Sequence, residues 1–539
     1  MKKKYVLIAV AIILAGVFSA CSGKAKSGAD TQKLIYGVVA EPQGFDPGNS
    51  SETYALPTIN SCFFGPIKTD ADGKIIPALA ESWDISSDGK VYTLHLRRNT
   101  KWSDGSSLTA ADYVYSYRRV VDPDFASENA SVMFPIVNGE DIFGGLKPLD
   151  SLGVEAVDDY TLKITLENPT PYFLETMLSS AFSAVKQSAV KTGDDWHRKA
   201  DTYICNGPFM VKSFEFGKQI VLVKNPYYYD AANVKLEEIT FRVIGDMGTG
   251  LTAVTTGEID GYDAVLSAEV ANQRANNPAF NSITLLSTTY YLVNKQKAPY
   301  KDPRVARALA LAIDREAIIK DVLQNVYAPA FALVPPGMVV DGVDFRKAGG
   351  DYGFKPNAQV DEAQKLLAEA GFPGGRGFPV MRLRYYTNDN VKKVVEAMQQ
   401  MWKKNLNIDV EISNADWQVY FEEVKNLDYD IAAMGSTADT PHPAGYIGDF
   451  ITGNMGSQMT GFRDPVFDDL IKKANTAPSS AECIRYLHEA EDYYMSQMPT
   501  FSVYHSTKNF LMQTYVKGFF CSSTNNMSFE NAYIEGRGR

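Results

Sequence analysis

A single carboxylate, Asp439, stands in the segment 435–443, GSTADTPHP, among small residues, two prolines and a histidine. The run YDIAAM just before this segment has the apolar composition of a buried strand. A carboxylate on a stiff loop at the end of such a strand could pair with a positively charged group. Asp439 could equally cap a turn or a helix start, because Asp before Thr-Pro is common in turns. The residue types alone leave both interpretations open.

The sequence lacks the spacings by which many enzymes are recognised. The five histidines show no H-E-x-x-H or other close ligand spacing, and the chain has no G-x-S-x-G, P-loop or G-x-G-x-x-G pattern. His95 falls in the alternating run VYTLHL, which favours a sheet face, whereas His442 stands between two prolines near Asp439 and is a candidate to line a cleft. The absence of these spacings argues against an enzyme, and we predict no catalytic residue, no metal and no cofactor. A secreted hydrolase is the alternative, since catalytic triads are defined by geometry and not by spacing.

The first twenty residues determine the compartment that the protein is expected to reach. The stretch MKKKYVLIAVAIILAGVFSAC has a lysine-rich start, an apolar run and a small-residue cleavage site, so residues 1–20 are predicted to be a secretory signal. FSAC resembles a bacterial lipobox, with Phe18 where the motif prefers an aliphatic residue. Cys21 is then the acylated residue, and residues 21–33 form a flexible polar tether. The prediction is an extracytoplasmic protein held by lipid at the bacterial cell membrane, at the surface or in the periplasm. An ordinary cleaved signal is the alternative.

The net charge argues against one class of partner, and the length indicates the number of domains. Removal of residues 1–20 changes the formal net charge from −11 to about −14, so nucleic acid is an unsuitable partner. More than one core is expected from a chain of 539 residues, which predicts two or three domains. Four further cysteines have no C-x-x-C spacing, which leaves free buried thiols and one or two disulfides both open. They are Cys62, Cys205, Cys483 and Cys521.

Hydrophobic periodicity predicts the elements that position Asp439. Alternation with period two predicts strands in KVYTLHLRR, YTLKITLEN, KQIVLVKNP and EEITFRVI, all in the first half. Helical spacing begins at Asp302, an N-cap before Pro303, with a second helix start at Asp314, and recurs in NAQVDEAQKLLAEAG and NVKKVVEAMQQMWKKN. Helices and strands then alternate from about residue 290, which indicates an α/β unit with largely parallel pairing. Two architecturally different halves suggest two lobes, and ligands favour the crevice between lobes.

Five stretches resemble, in the same order, blocks of the family 5 extracellular solute-binding proteins, the peptide-binding receptors of ABC importers. These stretches cover nearly the whole mature chain. They are EPQGFDP, ALAESWDISSDGKVYTLHLRRNTKWSDGSSLTAADYVYSYRRVVDP, CNGPFMVKSFEFGKQIVLVKNPYYYDAANVKLEEITF followed by TTGEIDG, NKQKAPYKDPRVARALALAIDREAI, and FEEVKNLDYDIAAMGSTADTPHPAGYIGDF.

The resemblance implies an α/β, two-lobed, periplasmic-binding-protein-like fold of type II, cluster C, with an additional inserted domain, whose lobes close on a ligand by a hinge motion. It divides the chain into lobe I at 34–70, 205–290 and 507–539, an inserted domain at 71–204, and lobe II at 291–506. It also implies an oligopeptide ligand that is delivered to the permease subunits of an ABC importer. We expect the receptor to be a monomer.

The resemblance gives Asp439 a role, which is to pair with the α-ammonium of a bound peptide. Main-chain groups of an extended peptide would then be met on two sides of the cleft by Gly435, Ser436 and Thr437 and by Ser51, Glu52 and Thr53. Trp417 matches a position that lines a side-chain pocket, with helix packing as the alternative. Glu52 offers a second cleft charge, with a solvated loop position as the alternative.

Three departures from the family pattern leave the ligand open. Ser436 stands where oligopeptide binders usually have Trp, and Ala433 and Val424 stand where some have Arg. The alternatives are a dipeptide, an oligosaccharide, an opine-like compound or a metal chelate. A sensory receptor for peptides with the same fold is a further alternative, because function is determined by the site and its partners.

Overall fold

The structure is a computed structural model that describes residues 31–50, 54–71, 73–438 and 440–537. The predicted signal and Cys21 therefore lie outside the described residues. The strands in chain order are β1 (Lys33–Val38), β2 (Ile67–Thr69), β3 (Ile75–Pro77), β4 (Ala80–Ile85), β5 (Val91–Leu96), β6 (Val154–Asp158), β7 (Thr161–Thr165), β8 (Phe209–Glu215), β9 (Gln219–Lys224), β10 (Glu238–Val243), β11 (Gly261–Tyr262), β12 (Phe280–Val293), β13 (Ala328–Pro329), β14 (Val339–Val340), β15 (Val343–Asp344), β16 (Met381–Tyr386), β17 (Val410–Ala415), β18 (Ile431–Thr437), β19 (Thr500–Met512), β20 (Val516–Lys517), β21 (Phe520–Cys521), β22 (Met527–Ser528) and β23 (Tyr533–Ile534).

Helices accompany these strands, and most of the long ones follow β12. The α-helices are α1 (Leu56–Cys62), α2 (Ala110–Val120), α3 (Gly139–Phe143), α4 (Phe173–Thr176), α5 (Gln187–Val190), α6 (Met247–Thr255), α7 (Val270–Asn276), α8 (Pro303–Leu311), α9 (Arg315–Ala317), α10 (Phe345–Gly349), α11 (Val360–Glu369), α12 (Asp389–Leu406), α13 (Trp417–Lys425), α14 (Pro443–Gly448), α15 (Met455–Thr460), α16 (Pro465–Asn475) and α17 (Ser480–Gln497). A π-helical turn follows α9, and short 3₁₀ turns occupy Ala130–Met133, Leu149–Ser151, Ser180–Phe182, Trp196–Arg198, Ser267–Glu269 and Pro373–Gly375.

One large mixed sheet runs through both halves of the protein. Its strand order is β17-β16-β18-β12-β19-β11-β1-β10-β9-β8, with β13 paired to β19 beside this path. The two longest strands, β12 and β19, have 14 and 13 residues and pair antiparallel with each other. Because these two strands lie in the middle of the order, they connect the halves that flank them. A separate four-stranded sheet has the order β4-β5-β7-β6.

Two large hydrophobic cores each include residues of the long strand β19. The first core contains residues from Leu34 to Phe241 and from Phe510 to Ile534, and the four-stranded sheet packs into it. The second core contains residues from Leu286 to Tyr504. The arrangement fits the expected two-lobed α/β fold. The precise boundaries predicted for the lobes and the inserted domain stay a prediction.

The predicted elements are found where periodicity placed them. Four predicted strands correspond to β5, β7, β9 and β10, and the helical stretches to α8, α11 and α12. Asp302 caps α8 by accepting a hydrogen bond from the Arg304 amide at 2.9 Å, and Asp314 caps α9 through the Ala317 amide at 2.8 Å. Both helix starts that the sequence indicated are therefore confirmed.

Strand direction in the second half differs from the prediction. β16 pairs parallel with both β17 and β18, but β12 pairs antiparallel with both β18 and β19. The expectation of largely parallel pairing was therefore wrong for half of these contacts. The physical reason is that the chain crosses between the halves on β12 and returns on β19, so adjacent strands must run in opposite directions.

Cys62, Cys205, Cys483 and Cys521 are free thiols in the structure, and the first three are buried. Over the described residues, none of the helices combines the length and the apolar character that crossing a membrane requires.

Candidate functional site

The exposed end of β18 is the central feature of the candidate site. Ile431–Met434 is buried, as the apolar run predicted, whereas Gly435 and Thr437 are exposed. β12 covers one edge of β18 along its whole length, but β16 pairs with the other edge only at Ile431 and Ala432. Within the described residues, the outer edge of β18 beyond Ala432 therefore has no neighbouring strand.

The register shows which backbone groups point to this open edge. The Ala438 amide donates to the Leu286 carbonyl at 2.7 Å, which makes these two a hydrogen-bonded pair of the antiparallel ladder. Backbone direction alternates along a strand, so Ser436 faces β12, and Gly435 and Thr437 face away from it. The backbone amide and carbonyl of Gly435, and those of Thr437, are thus directed outward. An extended chain laid along this edge could be bound as an additional strand.

A buried polar network supports the edge from behind. Tyr446 of α14 donates its hydroxyl to the Ser436 carbonyl and accepts from the Thr288 amide at 2.8 Å. The Thr288 hydroxyl in turn lies 3.0 Å from Nδ1 of His505 on β19. Burial and the positive charge of Arg346 lower the pKa of His505 to about 4, so this histidine is neutral at neutral pH. The support is therefore an uncharged hydrogen-bonded network, which suits a surface that binds main chain.

Two cavities border the segment that follows β18. The first cavity has a volume of about 480 Å³ and a mainly apolar wall that includes Phe63, Phe64, Ile67, Met177, Phe519 and Pro441. The second cavity has a volume of about 440 Å³ and is lined among others by Tyr172, Tyr290, Ser436, Thr437, Thr440 and Tyr446. Both volumes fall in the range of small-molecule sites. Residue 439 stands in the sequence between residues that line the two cavities.

The first cavity is tied to the end of β18 by main-chain bonds. Its wall includes the loop of Ser522, Ser523 and Thr524. The Ser523 carbonyl accepts from the Leu286 amide at 2.8 Å, and the Leu286 carbonyl accepts from Ala438. Inside the wall, both carboxylate oxygens of Glu530 bind Nζ of Lys68, at 2.7 and 2.6 Å. The charges of Lys68 and Glu530 thus compensate each other, and the wall combines apolar side chains with uncharged polar ones such as Ser522 and Thr524.

A contact between the two halves of the chain borders the second cavity. The ring of Tyr172, which precedes α4, stacks on the ring of His442 with centroids 4.6 Å apart and an interplanar angle of 17°. Its hydroxyl donates to Oδ1 of Asn475 on α16 at 2.9 Å. Burial lowers the pKa of His442 to about 3, against a weaker opposing effect of Asp341. The stacked pair is therefore neutral in the working pH range.

A buried ion pair lies on β19 on the side of the first core. Nζ of Lys508 is 2.6 Å from Oδ1 of Asp263, and both side chains are at most one-tenth exposed. Burial raises the pKa of Asp263, while Lys508 and the Tyr36 hydroxyl favour the ionised carboxylate. Such a pair fixes β19 against the end of β11, its neighbour in the sheet.

The structure brings together three of the residues predicted to bind ligand. Gly435, Ser436 and Thr437 form the open end of β18, and the last two line the second cavity. Asp439, Ser51, Glu52 and Thr53 lie outside the described residues, so their predicted roles stay predictions.

Trp417 begins α13 and is half-exposed, with 51% of its surface accessible. Its ring packs on Tyr386 and Phe421, each with a centroid distance of 5.4 Å. One turn further, the Tyr420 hydroxyl donates to the Ala433 carbonyl of β18. Trp417 thus belongs to an aromatic group next to the buried part of β18, and its pocket role stays a prediction.

Sequence reasoning missed Tyr172, Tyr446 and Asn475. Tyr172 follows the run NPTP, and Tyr446 lies four residues after His442 in the sequence PHPAGY. In neither segment does the spacing of the neighbouring residues distinguish a tyrosine that lines a cleft from a tyrosine in the core. His442, which was expected to line a cleft, is instead 2% exposed and packs behind the cavity wall. Within the described ranges, no group of three or more His, Cys, Asp or Glu side chains could hold a metal ion.

Comparison with known proteins gives consistent results. Residues 74–457 match the model of bacterial extracellular solute-binding proteins, family 5. The oligopeptide-binding protein OppA of Bacillus subtilis is 30% identical over 99% of this chain and 100% of its own length. The dipeptide-binding protein DppE of the same organism is 32% identical over 89% of this chain and 87% of its own length. The crystal structure of Haemophilus influenzae OppA in complex with RPPGFSPFR has a TM-score of 0.77 and 28% identity, and covers 94% of this chain and 99% of that one.

Proposed function

Because the chain belongs to the bacterial extracellular solute-binding proteins of family 5, we propose that it is the substrate-binding receptor of an ABC importer and that it captures oligopeptides between two closing lobes. A receptor of this kind delivers its ligand to membrane permease subunits and performs no chemistry on it. The domain boundaries predicted above are part of this proposal.

The open edge of β18 is the observation that carries the proposal. The outward amides and carbonyls of Gly435 and Thr437 can pair with the main chain of an extended peptide. Main-chain pairing is independent of the peptide's sequence, because every residue offers the same groups. The two cavities beside this edge provide room for side chains of different size. A receptor for varied peptides needs both features.

In this proposal, Asp439 determines where along the edge of β18 the bound peptide begins. Its carboxylate, in the loop directly after β18, pairs with the α-ammonium of the ligand. Closure of the lobes removes water from this pair, so loss of one partner costs about 2 to 5 kcal/mol of binding free energy. Ser51, Glu52 and Thr53 meet the peptide from the other side of the cleft, and Trp417 lines a pocket for one of its side chains.

Cys21 places the receptor at the membrane in this proposal. Its acylation anchors the extracytoplasmic protein to the bilayer, where the permease lies. A Cys21→Ser variant should be released into the soluble extracytoplasmic fraction. Membrane retention of this variant would contradict the anchor but not the peptide site.

A dipeptide is the second candidate ligand, because DppE, a dipeptide-binding protein, is among the similar relatives. The open edge ends at Thr437, and two residues of ligand would pair with only part of it. We therefore favour longer peptides, and binding as a function of peptide length decides between the candidates.

Thermal unfolding with a peptide series tests the proposal. A ligand at a hundred times its Kd stabilises the native state by about 2.7 kcal/mol. We expect free peptides longer than two residues to raise Tm, with dipeptides less effective. If peptides of all lengths leave Tm unchanged while an oligosaccharide or a metal chelate raises it, the proposed ligand class is wrong. Chromatography of the mixture afterwards should recover intact peptide, and cleavage products would support the hydrolase alternative instead.

A further inference from the structure

Two of the buried cysteines, Cys62 and Cys205, lie next to each other in the first core. Cys62 is the last residue of α1, and Cys205 stands four residues before β8. Both are completely buried, with 0% of their surface accessible. Both belong to the first core, whereas Cys483 belongs to the second. The structure thus singles out one of the cysteine pairings that the sequence left open.

The main chain after one cysteine touches the main chain after the other. The Cys62 carbonyl accepts hydrogen bonds from the amides of Asn206 at 3.2 Å and Gly207 at 2.7 Å. A Cβ atom on Gly207 would lie 2.7 Å from this carbonyl oxygen, so a larger residue there would force the two backbones apart. Oδ1 of Asn206 accepts a further bond from the Phe64 amide at 2.8 Å. The two segments are therefore held together directly beside the cysteines.

The two thiols share the same apolar surroundings. Sγ of Cys205 donates a weak hydrogen bond to the Phe209 carbonyl at 3.3 Å. Burial raises the pKa of the Cys62 thiol, and the adjacent Cys205 thiol raises it further. The ring of Tyr203 packs on Phe63 beside the pair, with centroids 5.2 Å apart. The side chains, like the main chains, are thus neighbours.

These surroundings make the thiols unreactive once the protein has folded. A thiolate is the species that attacks a disulfide, and burial in an apolar core disfavours the thiolate. Neither cysteine is accessible to solvent. Oxidation of the pair therefore has to occur while the chain folds, before α1 docks on the segment that precedes β8. Proteins of an extracellular family fold outside the reducing cytoplasm, where disulfides form and persist.

We infer that Cys62 and Cys205 are joined by a disulfide in the extracytoplasmic protein, and that this bond fastens the chain between them to the first core. The reaction breaks two S–H bonds and forms one S–S bond. The two electrons and two protons pass to the disulfide of an extracytoplasmic thiol oxidant, which is reduced to two thiols. The chain between the two cysteines includes the four-stranded sheet β4-β5-β7-β6. This inference concerns the scaffold and does not depend on the ligand.

The bond is expected to act mainly on the unfolded chain. It closes a loop that contains residues 63–204. A cross-link over so long a loop removes much of the conformational freedom of the unfolded chain. In the native protein, the main-chain bonds from Asn206 and Gly207 to Cys62 already hold the two segments together. The disulfide-bonded protein should therefore be more stable than its reduced form.

The experiment is peptide mapping of the full chain after export by a bacterial host and purification without reductant. The protein is unfolded in the presence of iodoacetamide, digested, and analysed by mass spectrometry before and after reduction. We expect one linked pair of peptides that contains Cys62 and Cys205 and separates on reduction. Cys483 and Cys521 should be recovered in separate alkylated peptides.

Thermal unfolding measures the effect of the bond. The protein is unfolded in excess reductant and refolded either with oxidised glutathione or with the reductant still present. Tm of the reduced wild type should be several degrees below that of the oxidised protein. In Cys62→Ala and in Cys205→Ala the two preparations should have the same Tm, whatever the substitution does to packing. Cys483→Ser is the matched control, because it changes a buried thiol of the second core and should keep the wild-type difference.

Two results would overturn the inference. The first is exported protein in which Cys62 and Cys205 are alkylated, or in which either is linked to another cysteine. The second is a wild-type Tm that is the same in the oxidised and the reduced preparation, which would show that no bond fastens this part of the chain. Both measurements can be made on the wild type alone, so the test remains decisive if an alanine variant does not fold.

Discussion

Acidification should weaken the protein through His442, and the structure gives the size of the effect. The native pKa of this histidine is about 3, because the ring is buried, whereas an exposed histidine in the unfolded chain titrates near 6.5. Between these values the unfolded chain binds more protons than the native protein. The free energy of unfolding therefore decreases as pH falls through this window, by about 2 kcal/mol between pH 7 and pH 5.

The matched variant is His442→Asn. Asparagine is a good N-cap, so α14 keeps its first bond, and it does not titrate. Loss of the stack on Tyr172 lowers stability by an amount that is independent of pH. We expect the difference in unfolding free energy between wild type and variant to shrink by about 2 kcal/mol from pH 7 to pH 5. Other titrating groups are present in both proteins and cancel in this difference.

Urea unfolding at the two pH values measures this difference, and NMR titration of the imidazole signals measures the pKa directly. The five histidines give few signals, and His442→Asn identifies the one that belongs to His442. A pH-independent difference between the two proteins, or an imidazole signal that titrates near 6.5 in the folded state, would refute the assignment of His442 as a buried neutral ring.

Three further predictions concern the open edge of β18, the buried carboxyl of Glu175 on α4, and the ion pair of Lys508 on β19 with Asp263. Thr437→Pro removes an outward amide to which no described strand bonds, together with the 3.1 Å bond of the Thr437 hydroxyl to Ser287, so peptide affinity should fall about twofold to tenfold with a small loss of Tm in the absence of peptide; unchanged affinity would argue against main-chain pairing. Burial and then the charge of Asp341 raise the pKa of Glu175, so its ionised form is unfavourable at neutral pH. Glu175→Gln should raise the urea midpoint at pH 7, and this advantage should diminish as pH is lowered towards the ordinary carboxyl range, because protonation removes the cost of the buried charge; an advantage that does not change with pH would contradict this. Lys508→Met should lower the free energy of unfolding by about 3 to 5 kcal/mol, because it leaves the buried carboxylate of Asp263 without its cation. The double variant Lys508→Met with Asp263→Asn should recover much of this loss in denaturant unfolding. Losses that simply add in the double variant would show that the pair is not coupled.

Local elements of this fold could be predicted because their signals are local. Period two identified β5 and β7, and helical spacing with a capping Asp identified α8 and the start at Asp314. In each case the residues that define the element are neighbours in sequence. Burial of one face is enough to produce the pattern.

Strand direction was not predictable in the same way. Alternating helices and strands usually produce parallel pairing, but β12 and β19 carry the chain between the halves and pair antiparallel. That geometry depends on how often the chain crosses from one half to the other. No local pattern contains this information.

The candidate site was partly predictable, since the apolar run before Gly435 indicated where a buried strand would become exposed. The stack of Tyr172 on His442 joins residues 270 positions apart in the sequence. The two prolines near each of these residues suggest stiff loops, but they do not indicate that the two rings are in contact. The support of Ser436 by Tyr446 depends in the same way on how α14 packs behind β18.

The central claim is that a carboxylate after β18 recognises the amino end of a peptide, and calorimetry with two proteins and two ligands tests it most directly. Wild type and Asp439→Asn are each titrated with one peptide and with its N-acetylated form. We predict that acetylation weakens binding to the wild type by about 30-fold or more, corresponding to at least about 2 kcal/mol, and has little effect on the variant. Equal affinity of the wild type for both peptides, or the same loss on acetylation in both proteins, would contradict the claim.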